Sequence, residues 1–216
     1  MMASRADDGS PRTDRLEFLV TVLLVVAAVA TSWSSYQAAR WHGEQAQATS
    51  RTNEIRIDAA RASSLGEAQT EIDVATFIAW VDADQTGDPA LADFYTERFR
   101  PEFAVAFNAW LATDPFTDAT APETPFAMPE YKVAARDEAA ALDKKAEDSA
   151  AEVRRDIQIA SNYVLTVVLY AVVLFFAGIS TKIASRRLRL IMVVGGFVVL
   201  VGALAWVATF PISIGL

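Results

Sequence analysis

Twelve residues offer the clearest metal chemistry in this chain. Asp82-Ala83-Asp84-Gln85-Thr86-Gly87-Asp88-Pro89-Ala90-Leu91-Ala92-Asp93 places oxygen-bearing side chains at positions one, three, five and seven, glycine at six and a carboxylate at twelve. That spacing lets a tight loop wrap hard oxygen ligands around calcium. Asp82, Asp84, Thr86, Asp88 and Asp93 are therefore the candidate metal ligands. Three departures weaken the match. Asp93 is shorter than the bidentate glutamate usual at position twelve, Pro89 removes a backbone N–H at position eight, and there is no second loop to pair with. The competing reading is a solvated helix end followed by an Asp-Pro helix start.

Other chemistry is thin. His42 is the only histidine and lies beside Trp41, so a histidine-cluster metal site or a two-histidine relay is excluded. No nucleophile-elbow motif accompanies it. With no cysteine, disulfides, thiolate metal sites and cysteine nucleophiles are impossible. Ser161, Asn162, Tyr163, Thr166 and Tyr170 make a polar stripe suited to hydrogen bonds between helices, or to the lining of a pore. No catalytic residue and no cofactor site is expected, and the chain reads as non-enzymatic.

The elements that must position these residues are mostly membrane spans. Phe18–Ala39, Ile157–Thr181 and Leu190–Leu216 carry no formal charge. A helix needs about 20 apolar residues to cross the hydrocarbon core. The spans are placed at 16–33, 157–181 and 190–211, the last ended by Pro211. No charged residue is expected within them, which argues against an ion-coupled transporter. Gly195, Gly196 and Gly202 are expected to let the third span pack closely. The first span also fits a secretory leader ending at Ala28-Val29-Ala30. Its continuation through Trp33, with Trp33, Tyr36 and Trp41 as an interfacial belt, favours an anchor that is kept.

Orientation follows from short basic flanks. Arg5, Arg12 and Arg15 place the tail 1–15 in the cytoplasm, and Lys182, Arg186, Arg187 and Arg189 place the loop 182–189 there too. Residues 34–156 and the tail 212–216 then lie outside, in a bacterial plasma membrane. The middle region has a net charge of −11, within a chain total of −8. Clustered cations are what nucleic acid requires, so it is excluded as a partner.

Residues 34–156 read as all helix, a bundle with coiled-coil-like seams. Ile55, Ala59, Ala62, Leu65, Ala68, Ile72, Ala75 and Ala79 mark one face at about 3.5 residues per turn. Ala135, Ala139, Leu142, Ala146, Ala150, Val153 and Ile157 mark another, which runs into the second span. An unbroken helix over 36–81 would be roughly 69 Å long, against roughly 42 Å for a return helix over 129–156. A break near Gly66 would restore the match and complete a four-helix bundle. Asp88-Pro89 starts a helix, Pro101 kinks or splits it, and 114–129, with four prolines, is a loop over an aromatic core. That core is expected to include Trp80, Phe103, Phe107 and Trp110.

Four stretches carry a resemblance. They are Ser32-Trp33-Ser34-Ser35-Tyr36-Gln37-Ala38-Ala39-Arg40-Trp41, Arg98-Phe99-Arg100-Pro101-Glu102-Phe103, Ala109-Trp110-Leu111-Ala112-Thr113-Asp114-Pro115 and Pro125-Phe126-Ala127-Met128-Pro129-Glu130-Tyr131. The chain resembles a family of uncharacterised bacterial three-span membrane proteins. The resemblance implies the architecture and transfers no activity and no functional residue. The expected partners are the lipid bilayer and either a second copy or another membrane protein. A ligand-sensing outer module acting with a separate cytoplasmic partner, and a homo-oligomeric channel, are the alternatives.

Overall fold

The computed structural model describes residues 11–214, with side chains from residue 15 onward. Every regular element among them is helical: α1 Pro11–Thr86, α2 Pro89–Thr96, α3 Pro101–Leu111, a 3₁₀ turn Pro125–Ala127, α4 Ala134–Ser180 and α5 Arg186–Val207. Three of these, α1, α4 and α5, contain stretches long and apolar enough to cross a membrane. The chain forms two compact units. One comprises residues up to Ser50 with those from Ala150 onward, and the other is Arg51–Ser149.

The membrane-type unit packs α1, α4 and α5 around Val20, Leu23 and Ala27, Tyr170, Val173 and Ala177, and Val193, Leu200 and Ala203. Small residues set the spacing, as expected where lipid removes the hydrophobic drive for helices to associate. Of the three glycines assigned to close packing, only Gly196 serves it strongly. A Cβ there would lie 3.2 Å from Leu23 Cδ2 and 3.5 Å from Phe176 Cβ. At Gly195 the nearest atoms are 3.9 Å away, and Gly202 has nothing within 4 Å. Glu17 is a further correction, since it lies inside the span 16–33. Its carboxylate pairs with Arg189 at 3.7 Å.

In the Arg51–Ser149 unit, α1 and α4 run antiparallel. Thr52 Oγ1 and Ser149 Oγ share a hydrogen bond of 2.7 Å, and Gly66 lies against Ala135 and Arg136. Between them the facing residues are small: Ala59 and Ala62 on α1, Ala135, Ala139 and Ala146 on α4, all buried. The helix does not break at Gly66. A Cβ there would sit 2.8 Å from Arg136 Cγ and 3.3 Å from its backbone N, so this glycine permits close approach. The four-helix arrangement is accordingly not formed, and the return helix begins at Ala134 rather than Pro129.

Local signals explain the remaining boundaries. Gly87 has φ 74°, in the left-handed region that favours glycine. Its N–H donates to Asp84 O at 3.1 Å, and the Asp88 N–H donates to Ala83 O at 3.0 Å. This pair of bonds is a Schellman stop. Asp88 Oδ1 then accepts from the Leu91 N–H at 3.0 Å and Pro89 opens α2. Pro101 does split the following helix. The aromatic core is made of Phe77, Trp80, Phe99, Phe103, Phe107 and Trp110. The proline-rich loop closes over it: Trp110 Nε1 donates to Pro122 O at 2.7 Å, and Phe126 stacks on Phe103 at 5.3 Å.

Candidate functional site

The acidic turn is placed differently from a wrapped loop. Asp82, Asp84 and Thr86 belong to the last turns of α1, where Thr86 Oγ1 donates to Asp82 O at 2.8 Å. Gly87 ends that helix, Asp88 caps the next, and Asp93 lies within α2. Helix geometry sends these side chains outward around two helix ends. Among the described residues no group of three or more His, Cys, Asp or Glu side chains is placed to hold a metal ion. His42 is exposed, with Nδ1 3.2 Å from Gln45 Oε1.

Two polar clusters are built more deliberately. The first lies in the Arg51–Ser149 unit. Asp73, on α1, is fully buried. It receives two charge-assisted bonds from Arg100, at 3.3 Å from Nε to Oδ1 and 2.7 Å from Nη2 to Oδ2. Tyr131 donates its hydroxyl to Asp73 Oδ2 at 3.2 Å. Arg100 also donates to Lys132 O at 3.4 Å, and its Nη1 stands 2.8 Å from Glu102 Oε2. The bond to Asp73 raises the Arg100 pKa further above its usual value, and burial raises that of the Tyr131 phenol. The cluster ties α1, the start of α3 and the segment leading into α4 to one point. A buried carboxylate so satisfied fixes geometry more than it adds stability. Beside it Tyr131, Lys132, Val133, Arg136 and Asp137 line a cleft of about 390 Å³.

Asp73 escapes a sequence reading because its partners are far along the chain. The signal was nonetheless present: an aspartate at the position where the small-residue face of α1 would otherwise be apolar.

The second cluster lies in the membrane-type unit. Of the predicted polar stripe, Tyr163, Thr166 and Tyr170 are brought together and fully buried, while Ser161 is exposed and Asn162 bonds to Gln158 on its own helix at 2.9 Å. Tyr163 donates to Pro211 O at 3.0 Å, and Thr166 Oγ1 donates to Tyr163 O at 2.7 Å. The Tyr170 and Ser34 hydroxyls are neighbours without good hydrogen-bond geometry. Gln37, also buried, pairs with the Ser213 backbone: Oε1 accepts from its N–H at 3.0 Å and Nε2 donates to its carbonyl at 3.4 Å. Trp41 Nε1 donates to Pro211 O at 3.3 Å. Within the stripe the Tyr163 and Thr166 hydroxyls thus end on backbone carbonyls, and the 211–213 tail is strapped across α1 and α4.

A third feature is a surface. After Ala62 the buried face of α1 continues through Gly66, Asp73, Phe77 and Trp80. The apolar series instead continues beside it, and Leu65, Ala68, Ile72 and Ala75 turn outward. Leu65 is 52% exposed and Ile72 58%. No protein-family model, curated protein or solved structure matches this chain.

Proposed function

We propose a non-enzymatic, multi-pass membrane protein that works by association, with residues 34–156 forming an outer helical domain that pairs with a second copy. The observation that carries this reading is the outward series Leu65, Ala68, Ile72 and Ala75. Steps of three and four residues are the spacing of a two-helix seam. Such a stripe on a solvated helix costs free energy until something covers it. Two chains anchored in one membrane present α1 in the same direction, so each residue of the series can meet its own copy. Between Leu65 and Ala75 the charges are Glu67, Glu71 and Asp73; Asp73 is buried against Arg100, and Glu67 and Glu71 flank the series rather than belong to it.

Orientation rests on the basic residues Arg5, Arg12 and Arg15 and on Lys182 to Arg189, which favour the cytoplasmic side of a bacterial plasma membrane. The resemblance to bacterial three-span proteins supports the same placement.

The chain's lack of cysteine makes the test simple. Leu65→Cys and Ile72→Cys are expected to form disulfide-linked dimers in membranes under mild oxidation, while exposed Glu67→Cys, about 120° around α1 from the centre of the series, is not. Equal cross-linking at all three positions, or none at Leu65 and Ile72, would reject pairing through this face.

A further inference from the structure

In the membrane-type unit a groove of about 510 Å³ runs between α1 and α5. It is lined by Leu19, Val22 and Val26 on α1 and by Val193, Phe197 and Leu204 on α5, among other apolar residues. Its size falls in the roughly 300–1,000 Å³ range of ligand sites. A charge stands on each wall at one end. Arg15 precedes Leu19, Val22 and Val26 by four, seven and eleven residues, which places it on the same face of α1. Arg186 precedes Val193 and Phe197 by seven and eleven, which places it on the groove face of α5. Both cations are exposed. Arg186 itself opens the first turn of α5, whose N-cap Ser185 makes no side-chain capping bond. That leaves positive helix-end potential at the same place. The nearby carboxylate, Glu17, is paired with Arg189.

We propose that this groove seats an acyl chain of one anionic phospholipid, whose phosphate is held by Arg15, Arg186 and the start of α5. Positive flanks alone would serve topology from any face of a helix. What selects a lipid is that two cations from different helices head the same apolar groove. An acyl chain and a phosphate joined in one molecule match both features. The proposal needs the helices to cross a bilayer and does not depend on how the outer domain associates.

The test uses the full chain purified in dodecyl maltoside and titrated with dioleoylphosphatidylglycerol or dioleoylphosphatidylcholine, read by native mass spectrometry. One phosphatidylglycerol per chain is expected, bound at least tenfold more tightly than phosphatidylcholine, with a preference that weakens as salt rises. Arg15→Gln with Arg186→Gln should abolish the preference. Lys182→Gln makes the same kind of charge change in the turn after α4, outside both groove walls, and should leave most of it. Val194→Trp, which fills the groove, should reduce uptake of both lipids.

Equal binding of the two lipids, a preference insensitive to salt, or equal loss in Lys182→Gln would each overturn the seat. A lipid-free dimer that buries Val194 would do so too, with a second copy as the occupant. If the double variant does not fold, the parent's lipid preference and its salt dependence decide alone. Release of the chain from membranes by carbonate would overturn membrane placement itself, and the seat with it. Retention in membranes without a phosphatidylglycerol preference overturns the seat only.

Discussion

Asp73 shows how one residue can hold a fold without being chemically active. It is fully buried, yet both carboxylate oxygens are satisfied by Arg100, and Tyr131 adds a third bond. Removing Arg100 would leave a buried charge with no counter-ion, a loss of about 3–5 kcal/mol by comparison with other broken buried pairs. Tyr131 offers a finer probe. Burial raises its phenol pKa above the ordinary 10.0. The neutral form is therefore favoured in the folded state, and below pH 10 the shift has no effect on stability. Above it the unfolded chain releases the proton more readily than the folded one, so stability falls as pH rises toward the folded pKa. Tyr131→Phe should cost about 1 kcal/mol at neutral pH through the lost hydrogen bond. It should also flatten the fall in melting temperature above pH 10. A variant with the parent's alkaline slope would show that this phenol is not the group responsible.

Elements read from sequence succeeded where the signal was local. Asp88-Pro89 capping, the split at Pro101, the run of α4 into a span and the loop over Trp110 all depend on residues within a few positions of one another. Gly66 failed because its role is set across the chain, by Ala135 and Arg136. A mid-helix glycine costs up to about 1 kcal/mol relative to alanine, too little to break a helix that gains close packing in return. The seam failed in its second half for a related reason. Gly66 and Asp73 hold the inner face, so Leu65 and Ile72 turn outward although their spacing continues the pattern. The calcium-type spacing has the same origin, since its glycine ends α1 and its fourth oxygen position caps α2. Two substitutions separate propensity from packing. Gly43→Ala meets nothing within 4 Å and should stabilise by about 0.5–1 kcal/mol. Gly66→Ala must displace the Arg136 stem and should destabilise the Arg51–Ser149 unit, as read by chemical denaturation. Equal gains at both positions would show that α1 and α4 are not held close at Gly66.

At the scale of the whole molecule, three helices are long and apolar enough to cross a membrane, and the proposed arrangement adds two basic flanks to them. The hydrocarbon core accepts helices because their backbone bonds are internally satisfied. It also accepts the buried hydroxyls of Tyr163 and Thr166 because each donates to a carbonyl within the chain. The 211–213 tail supplies some of those acceptors, so the far end of α5 is fastened to α1 and α4 rather than left free. Under the proposed arrangement, three crossings would put residues 11–15 and 211–214 on opposite sides, with the Lys182–Arg189 turn on the side of residues 11–15. In that arrangement the basic residues would decide which side is cytoplasmic, through the cost of moving Lys and Arg across during insertion. A reporter active only outside the cytoplasm, fused after Gln85, Arg186 or Leu216, tests each crossing separately. The first and third fusions should be active and the second silent. Activity at Arg186 would remove the crossing made by α4 or invert the whole arrangement. Silence at Leu216 alone would mean that α5 returns without crossing, and the strapped tail would then have to form on the cytoplasmic side.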